Sequence, residues 1–147
     1  LSDEEIKTAL DRILDFQGIS HIESSQLEEF IGTLNGDLRR GITELQASVS
    51  SNTPLSMQIE RMQQPYNELL EHILNDQYEL ALKQMHNMIH MSVDMKTICI
   101  GMHDVVVKKS LPTPKKFKYL RVIGESEWRS TNMTPKVLAA WMIGQLI

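Results

Sequence analysis

Five histidines, one cysteine and a turn that feeds two arginines into a helix start are the features of this sequence best suited to chemistry. His86 and His90 stand four residues apart and share one face of a helix, a spacing that metal ligands use. Between them lie Asn87, Met88 and Ile89, so the glutamate of a zinc-protease helix is missing and no carboxylate stands out as a third ligand. The pair reads as surface histidines on a helix. Cys99 and His103 are also four apart, with Asp104 adjacent. A Cys/His nucleophile needs an exposed thiol of low pKa. Cys99 sits between Ile98 and Ile100, the setting of a buried, inert cysteine.

Lys108, Lys109, Lys115, Lys116, Lys118 and Arg121 form a basic cluster around Pro112 and Pro114, with Phe117 and Tyr119 among them. Nucleic-acid contact is one reading, and a solvated loop and helix start is the commoner one. The nine methionines fall at core spacings and read as core filler rather than an adaptable binding surface. Asn35-Gly36-Asp37-Leu38-Arg39-Arg40 has a different character. A turn leads into a helix N-terminus whose free N–H groups and Arg39 guanidinium suit a phosphate. A surface ion pair of Arg39 with Asp37 or Glu44 is the plainer alternative.

These residues sit on helices. Apolar spacing follows the helical period almost throughout, and Val105 to Val107 is the nearest approach to a strand. Ser2, followed by Asp3, Glu4 and Glu5, opens a first helix as a capping box, with Ile6, Leu10, Ile13 and Leu14 as its stripe and Gly18 as its stop. A second helix spans Ser24 to Leu34. Asp37 caps a third, with Leu38, Ile42 and Leu45 inward. Ala47 to Pro54 is small and polar, and a domain boundary is expected there, between 1–52 and 53–147. Met57 to Met62 adds a short helix. Five longer helices follow: Pro65 to Leu74, Tyr78 to Met91, Ser92 or Asp94 through Val106, Lys115 to Arg129, and Thr134 to Ile147. Phe117, Leu120, Ile123 and Trp128 are expected to face inward on the fourth of these. The fold class is therefore all-α, in two packets.

A net charge of −4 argues against a domain devoted to gripping phosphate backbone. One cysteine excludes an internal disulfide framework and a multi-cysteine zinc site. A reducing intracellular compartment is expected from that single cysteine; no apolar run reaches membrane-spanning length, and the acidic start is no signal peptide. The first residue is Leu, and the chain reads as a piece of a longer one.

The order and spacing of several motifs resemble the clamp-loader branch of the AAA+ ATPases, in particular the small subunits of replication factor C. Gly36-Asp37-Leu38-Arg39-Arg40-Gly41-Ile42-Thr43-Glu44-Leu45-Gln46 is similar to the last helix of that family's lid domain, with Gly41 where alanine is usual. Asn75-Asp76-Gln77-Tyr78-Glu79-Leu80-Ala81 resembles the junction of the first two collar helices. Met102 to Val107 looks like the third, and Ile123-Gly124-Glu125-Ser126-Glu127-Trp128-Arg129 like a further collar motif. The ATP-binding domain of the family is not in this chain: no Walker A sequence and no Ser-Arg-Cys arginine finger occurs.

The resemblance implies a three-helix lid over 1–52 and a five-helix collar bundle over 53–147. It implies the C-terminal portion of a sliding-clamp loader subunit, joining a ring of five and coupling ATP state to clamp loading on primed DNA. Arg39 would be the sensor-2 arginine, reaching the ATP phosphate. ATP and Mg²⁺ would belong to the full-length parent, an AAA+ ATPase, with neither held tightly by this chain and no catalysis by it alone. The partners would be the other subunits, the clamp and primer-template DNA, with no membrane. The location would be the nucleus of a eukaryote or the cytoplasm of an archaeon or a phage-infected host. The last helix is apolar nearly all round, and Trp141, Ile143 and Ile147 are expected at a subunit interface. The alternatives are a stand-alone helical interaction module and the lid of another AAA+ protein, such as a helicase loader.

Overall fold

The computed structural model describes all 147 residues, Leu1–Ile147. Eight α-helices account for its regular structure, and there is no strand. The chain divides into two compact units, Leu1–Met62 and Gln63–Ile147, each with its own core.

The first unit begins with α1 (Asp3–Phe16). Its capping box forms as the sequence implies: the Glu5 N–H donates to Ser2 Oγ at 3.2 Å, and the Ser2 N–H donates to Glu5 Oε2 at 2.8 Å. The backbone bond and the hydroxyl of Ser2 hold the Glu5 carboxyl below its usual pKa range. Ile6, Leu10 and Leu14 repeat every fourth residue and are buried, whereas Ile13 lies at the exposed flank of the stripe. α2 (Ser24–Gly32) places Leu27, Phe30 and Ile31 against them, with Phe30 fully enclosed. Asn35 and Gly36 then turn the chain with positive φ, 51° and 85°. α3 (Leu38–Ser50) packs Leu45 into this core and brings Gly41 against Leu34; a Cβ on Gly41 would stand 2.7 Å from a Leu34 methyl. Ile42, expected inward, is partly exposed.

The segment 47–54 is not an open linker. Ser48 is buried and donates through Oγ to the Thr53 carbonyl at 2.8 Å, while the Thr53 N–H returns to Ser48 O at 3.0 Å. This tight turn leads directly into α4 (Leu55–Leu74), whose Leu55, Ile59 and Met62 complete the first core. The units therefore divide at 62/63 rather than at 52/53. The separate helices expected over Met57–Met62 and from Pro65 are one continuous helix with Pro65 inside it. Proline has no N–H, so the rung to the carbonyl four residues earlier is lost just beyond that division.

The second unit takes the rest of α4, then α5 (Tyr78–His90), α6 (Met95–Lys108), α7 (Thr113–Arg129) and α8 (Pro135–Leu146). Asp76 and Ser92, at φ 59° and 68°, make the left-handed turns before α5 and α6. The Asp94 side chain caps α6, accepting from the Thr97 N–H at 2.8 Å. α6 packs along α7, and α8 packs against both α5 and α7. Leu69, Met85, Ile98, Met102, Leu138 and Met142 form the centre of the core. Gly101 lets the Tyr66 ring lie on the α6 backbone: a Cβ there would meet ring atoms at 2.5 Å.

On α7 the buried residues are Tyr119, Val122, Ile123 and Ser126, which share one face. Phe117 and Trp128 fall on the opposite face and are 64% and 74% exposed, so the expected inward placement of both is corrected.

Candidate functional site

The turn before α3 shows how local chemistry prepares Arg39. Asp37 is the N-cap, and its Oδ1 accepts from the Arg40 N–H at 3.0 Å. That carboxylate takes one of the helix-end donors that the sequence pattern offers to a phosphate. What remains for an anion is the Arg39 side chain, exposed in the first helical turn. The ion pairs in the protein are Lys7–Glu28 and Lys109–Glu71, His103 lies beside Asp104, and none of these engages Arg39. Glu44, its proposed local partner, instead accepts from Gln58 Nε2 at 2.6 Å. The alternative of an internal ion pair for Arg39 thus finds no support in the geometry.

One arginine does not hold a nucleotide. No group of three His, Cys, Asp or Glu side chains is arranged to bind a metal ion. A groove in the first unit is lined by Leu10, Ile13, Ile19, Ile42, Leu45 and Val49 among others and carries no titratable side chain. Arg39 is a single exposed cation, and holding a phosphate would take further contacts from outside these residues.

The histidine and cysteine pairs are placed as follows. His86 is half-buried and His90 exposed, without a third ligand. Cys99 is buried in the second core, and burial pushes its thiol up to about 12, the reverse of what a nucleophile needs. His103 is exposed on α6, with its Nδ1 3.2 Å from Asp104 Oδ1.

The residues expected at an interface separate. Ile143 is 4% exposed and belongs to the unit's own core, so it presents no surface. Trp141 packs partly against that core, with the Arg129 guanidinium 4.7 Å above its ring. Ile147 is 64% exposed. Along α8 the outward residues are Val137, Ala140 and Gly144, which with Ile147 recur at helical spacing. The five buried residues of α8 and this outer apolar line explain why the helix is apolar on nearly every side. The line itself was missed in the sequence, where the large residues of α8 drew attention from the small ones.

Residues 63–134 match the family of the replication factor C C-terminal domain. The chain carries a replication factor C C-terminal domain. The matched stretch runs from the middle of α4 through α7 and stops one residue before α8. This domain ties the chain to DNA replication as part of a clamp loader, and to other clamp-loader subunits as its general partners. No curated protein matches the chain. No helix is long and apolar enough to cross a membrane.

Proposed function

We propose that this chain is the lid and collar portion of a clamp-loader subunit, and that it joins a ring of subunits which opens a sliding clamp with ATP and places it on primed DNA. The replication factor C domain over residues 63–134 carries the reading. The first unit would be the lid. Arg39 would contact the terminal phosphate of an ATP held by a preceding ATPase domain, where the nucleotide and Mg²⁺ supply the hydrolytic chemistry. The chain's own part is to present that guanidinium. Asp37 fixes the helix start through the Arg40 N–H, and Arg39 projects from the same turn without a competing carboxylate. A charge-assisted contact that depends on one phosphate is a switch whose readout is movement of a whole unit.

The outer line of α8, with Val137, Ala140, Gly144 and Ile147, is the surface offered to a neighbouring subunit. Small residues let a second backbone approach closely, and Trp141 borders the line.

The test is the full-length subunit with Arg39→Ala, assembled with its partner subunits. ATP-dependent clamp loading is expected to fall at least about tenfold, the effect of losing one charge-assisted phosphate contact worth roughly 1.5–3 kcal/mol, while the ring still assembles. Undiminished loading would remove Arg39 from the mechanism. Val137→Glu with Gly144→Glu is expected to prevent ring assembly, and an intact ring would overturn the assignment of α8.

A further inference from the structure

From Val105 to Gly124 the chain holds six Lys or Arg residues and no Asp or Glu, within a protein of net charge −4. Lys108, Lys109, Lys115 and Lys116 flank the junction where α6 ends at Lys108 and α7 opens at Thr113, and Lys118 and Arg121 follow along the next two turns of α7. The Lys116 ammonium reaches across this corner to the Val107 carbonyl at 3.0 Å.

Their partners leave most of the charge uncompensated. Only Lys109 meets a side-chain carboxylate, Glu71, at 2.5 Å. Lys108 donates to the neutral side-chain oxygen of Gln63 at 3.3 Å, and Lys118 to the main-chain oxygen of Ile147 at 2.7 Å. Lys115 lies over the Tyr119 ring, its ammonium 5.8 Å from the centroid. Arg121 takes part in none of the ion pairs, although Glu125 is one helical turn away. Phe117, 64% exposed, stands on the same face of α7 as Arg121 and is the sequence neighbour of Lys116 and Lys118, whereas Lys115 lies on the Tyr119 side of the helix. An exposed phenyl ring covers no core. Beside uncompensated cations it is a stacking platform next to phosphate contacts, the pairing that single-stranded nucleic acids use.

We propose that the α6–α7 corner is a binding surface for single-stranded nucleic acid, in which Lys115, Lys118 and Arg121 contact the backbone and an unpaired base stacks on Phe117. A duplex keeps its bases stacked and offers Phe117 no ring. An acidic peptide satisfies the cations but gives the phenyl group no planar partner. The surface belongs to this chain and needs no nucleotide or neighbouring subunit. Its failure therefore leaves ring assembly and the Arg39 test untouched, and failure of those leaves this surface intact.

The experiment is a fluorescence-anisotropy titration of the 147-residue chain against a labelled oligothymidine of about fifteen nucleotides, at several salt concentrations. Saturable binding is expected at low salt, with a dissociation constant on the order of 1–100 μM near physiological salt. Phe117→Ala is expected to weaken binding about fivefold or more. Lys115→Gln with Lys118→Gln and Arg121→Gln is expected to flatten the log–log salt slope by about two, from three phosphate contacts at roughly 0.7 each. Lys83→Gln with Lys96→Gln and Lys136→Gln removes the same charge elsewhere and is expected to leave affinity and slope nearly unchanged. All these positions are exposed, so helicity by circular dichroism should match the parent. Any one of four outcomes would overturn the proposal: no saturable binding, equal loss in both triple variants, no effect of Phe117→Ala, or preference for duplex or polyglutamate over the single strand.

Discussion

Cys99 and Arg39 define opposite ends of the range of environments in this protein. Cys99 is enclosed between α6 and the rest of the second core, and desolvation of the thiolate raises its pKa from 9.0 to about 12. At pH 8 the folded thiol therefore has a thiolate fraction on the order of a thousandfold below that of an unfolded one. Labelling with a small disulfide reagent should be negligible in the native protein and complete after denaturation. The same shift bears on stability. A thiol whose folded pKa lies above its unfolded value costs nothing below about 9; stability falls as pH rises from about 9 toward 12, because the unfolded chain releases the proton first. Urea midpoints measured from pH 8 to pH 11 should decline, and Cys99→Ala should remove this thiol's share of the decline. Arg39 is exposed and without an ionic partner, so Arg39→Ala should change unfolding free energy by no more than about 0.5 kcal/mol. A larger loss would reveal a structural role and count against a guanidinium kept free for phosphate.

At the scale of single helices, close approach matters more than propensity. Alanine normally stabilises a helix over glycine by about 1 kcal/mol. Gly101 reverses this expectation. Its missing Cβ leaves room for the Tyr66 ring, whose atoms would lie 2.5 Å from the added methyl, and Tyr66 is itself buried. Overpacking of this kind costs about 1–3 kcal/mol. Gly101→Ala should therefore lower the urea midpoint, while Gly124→Ala, whose added methyl meets nothing within 4 Å, should raise it slightly. α7 teaches a related lesson. Its inner face is set by Tyr119, Val122, Ile123 and Ser126, with Ser126 satisfied by the Val122 carbonyl at 2.8 Å. A polar residue on that face and two large aromatic residues off it mislead any reading by residue type, although the spacing of the four already marks the face.

For the whole molecule, the decisive fact is two separate cores. Residues 66–146 supply the entire buried cluster of the second unit, and residues 6–62 that of the first. The Lys7–Glu28 and Lys109–Glu71 pairs lie at the surface, where ion pairs add little, so burial of apolar surface holds each unit together. A chain limited to residues 63–147 should fold on its own and unfold cooperatively in urea. In it Leu69→Ala, which empties a fully buried site, should cost about 2–5 kcal/mol. Loss of helicity in that shorter chain would show that the first unit is needed to complete the second.

The sequence by itself determined the helical class, most helix starts and the turns. Ser2, Asp37 and Asp94 cap the backbone three residues ahead of them, and Gly18 and Gly36 adopt positive φ, all within a few residues of chain. The inert character of Cys99 was legible too, from its isoleucine neighbours. Tertiary structure alone decided where one unit ends, because Leu55, Ile59 and Met62 answer to Phe30 and Leu10 rather than to the helix they continue. It also decided that Ile143 turns into the core while Phe117 and Trp128 turn out, since a helix face is buried only by what other helices bring to it. Arg39 lies between these cases. Its place in the first turn of α3 follows from local spacing, while the partner that Glu44 takes, Gln58 from α4, was decided by the fold.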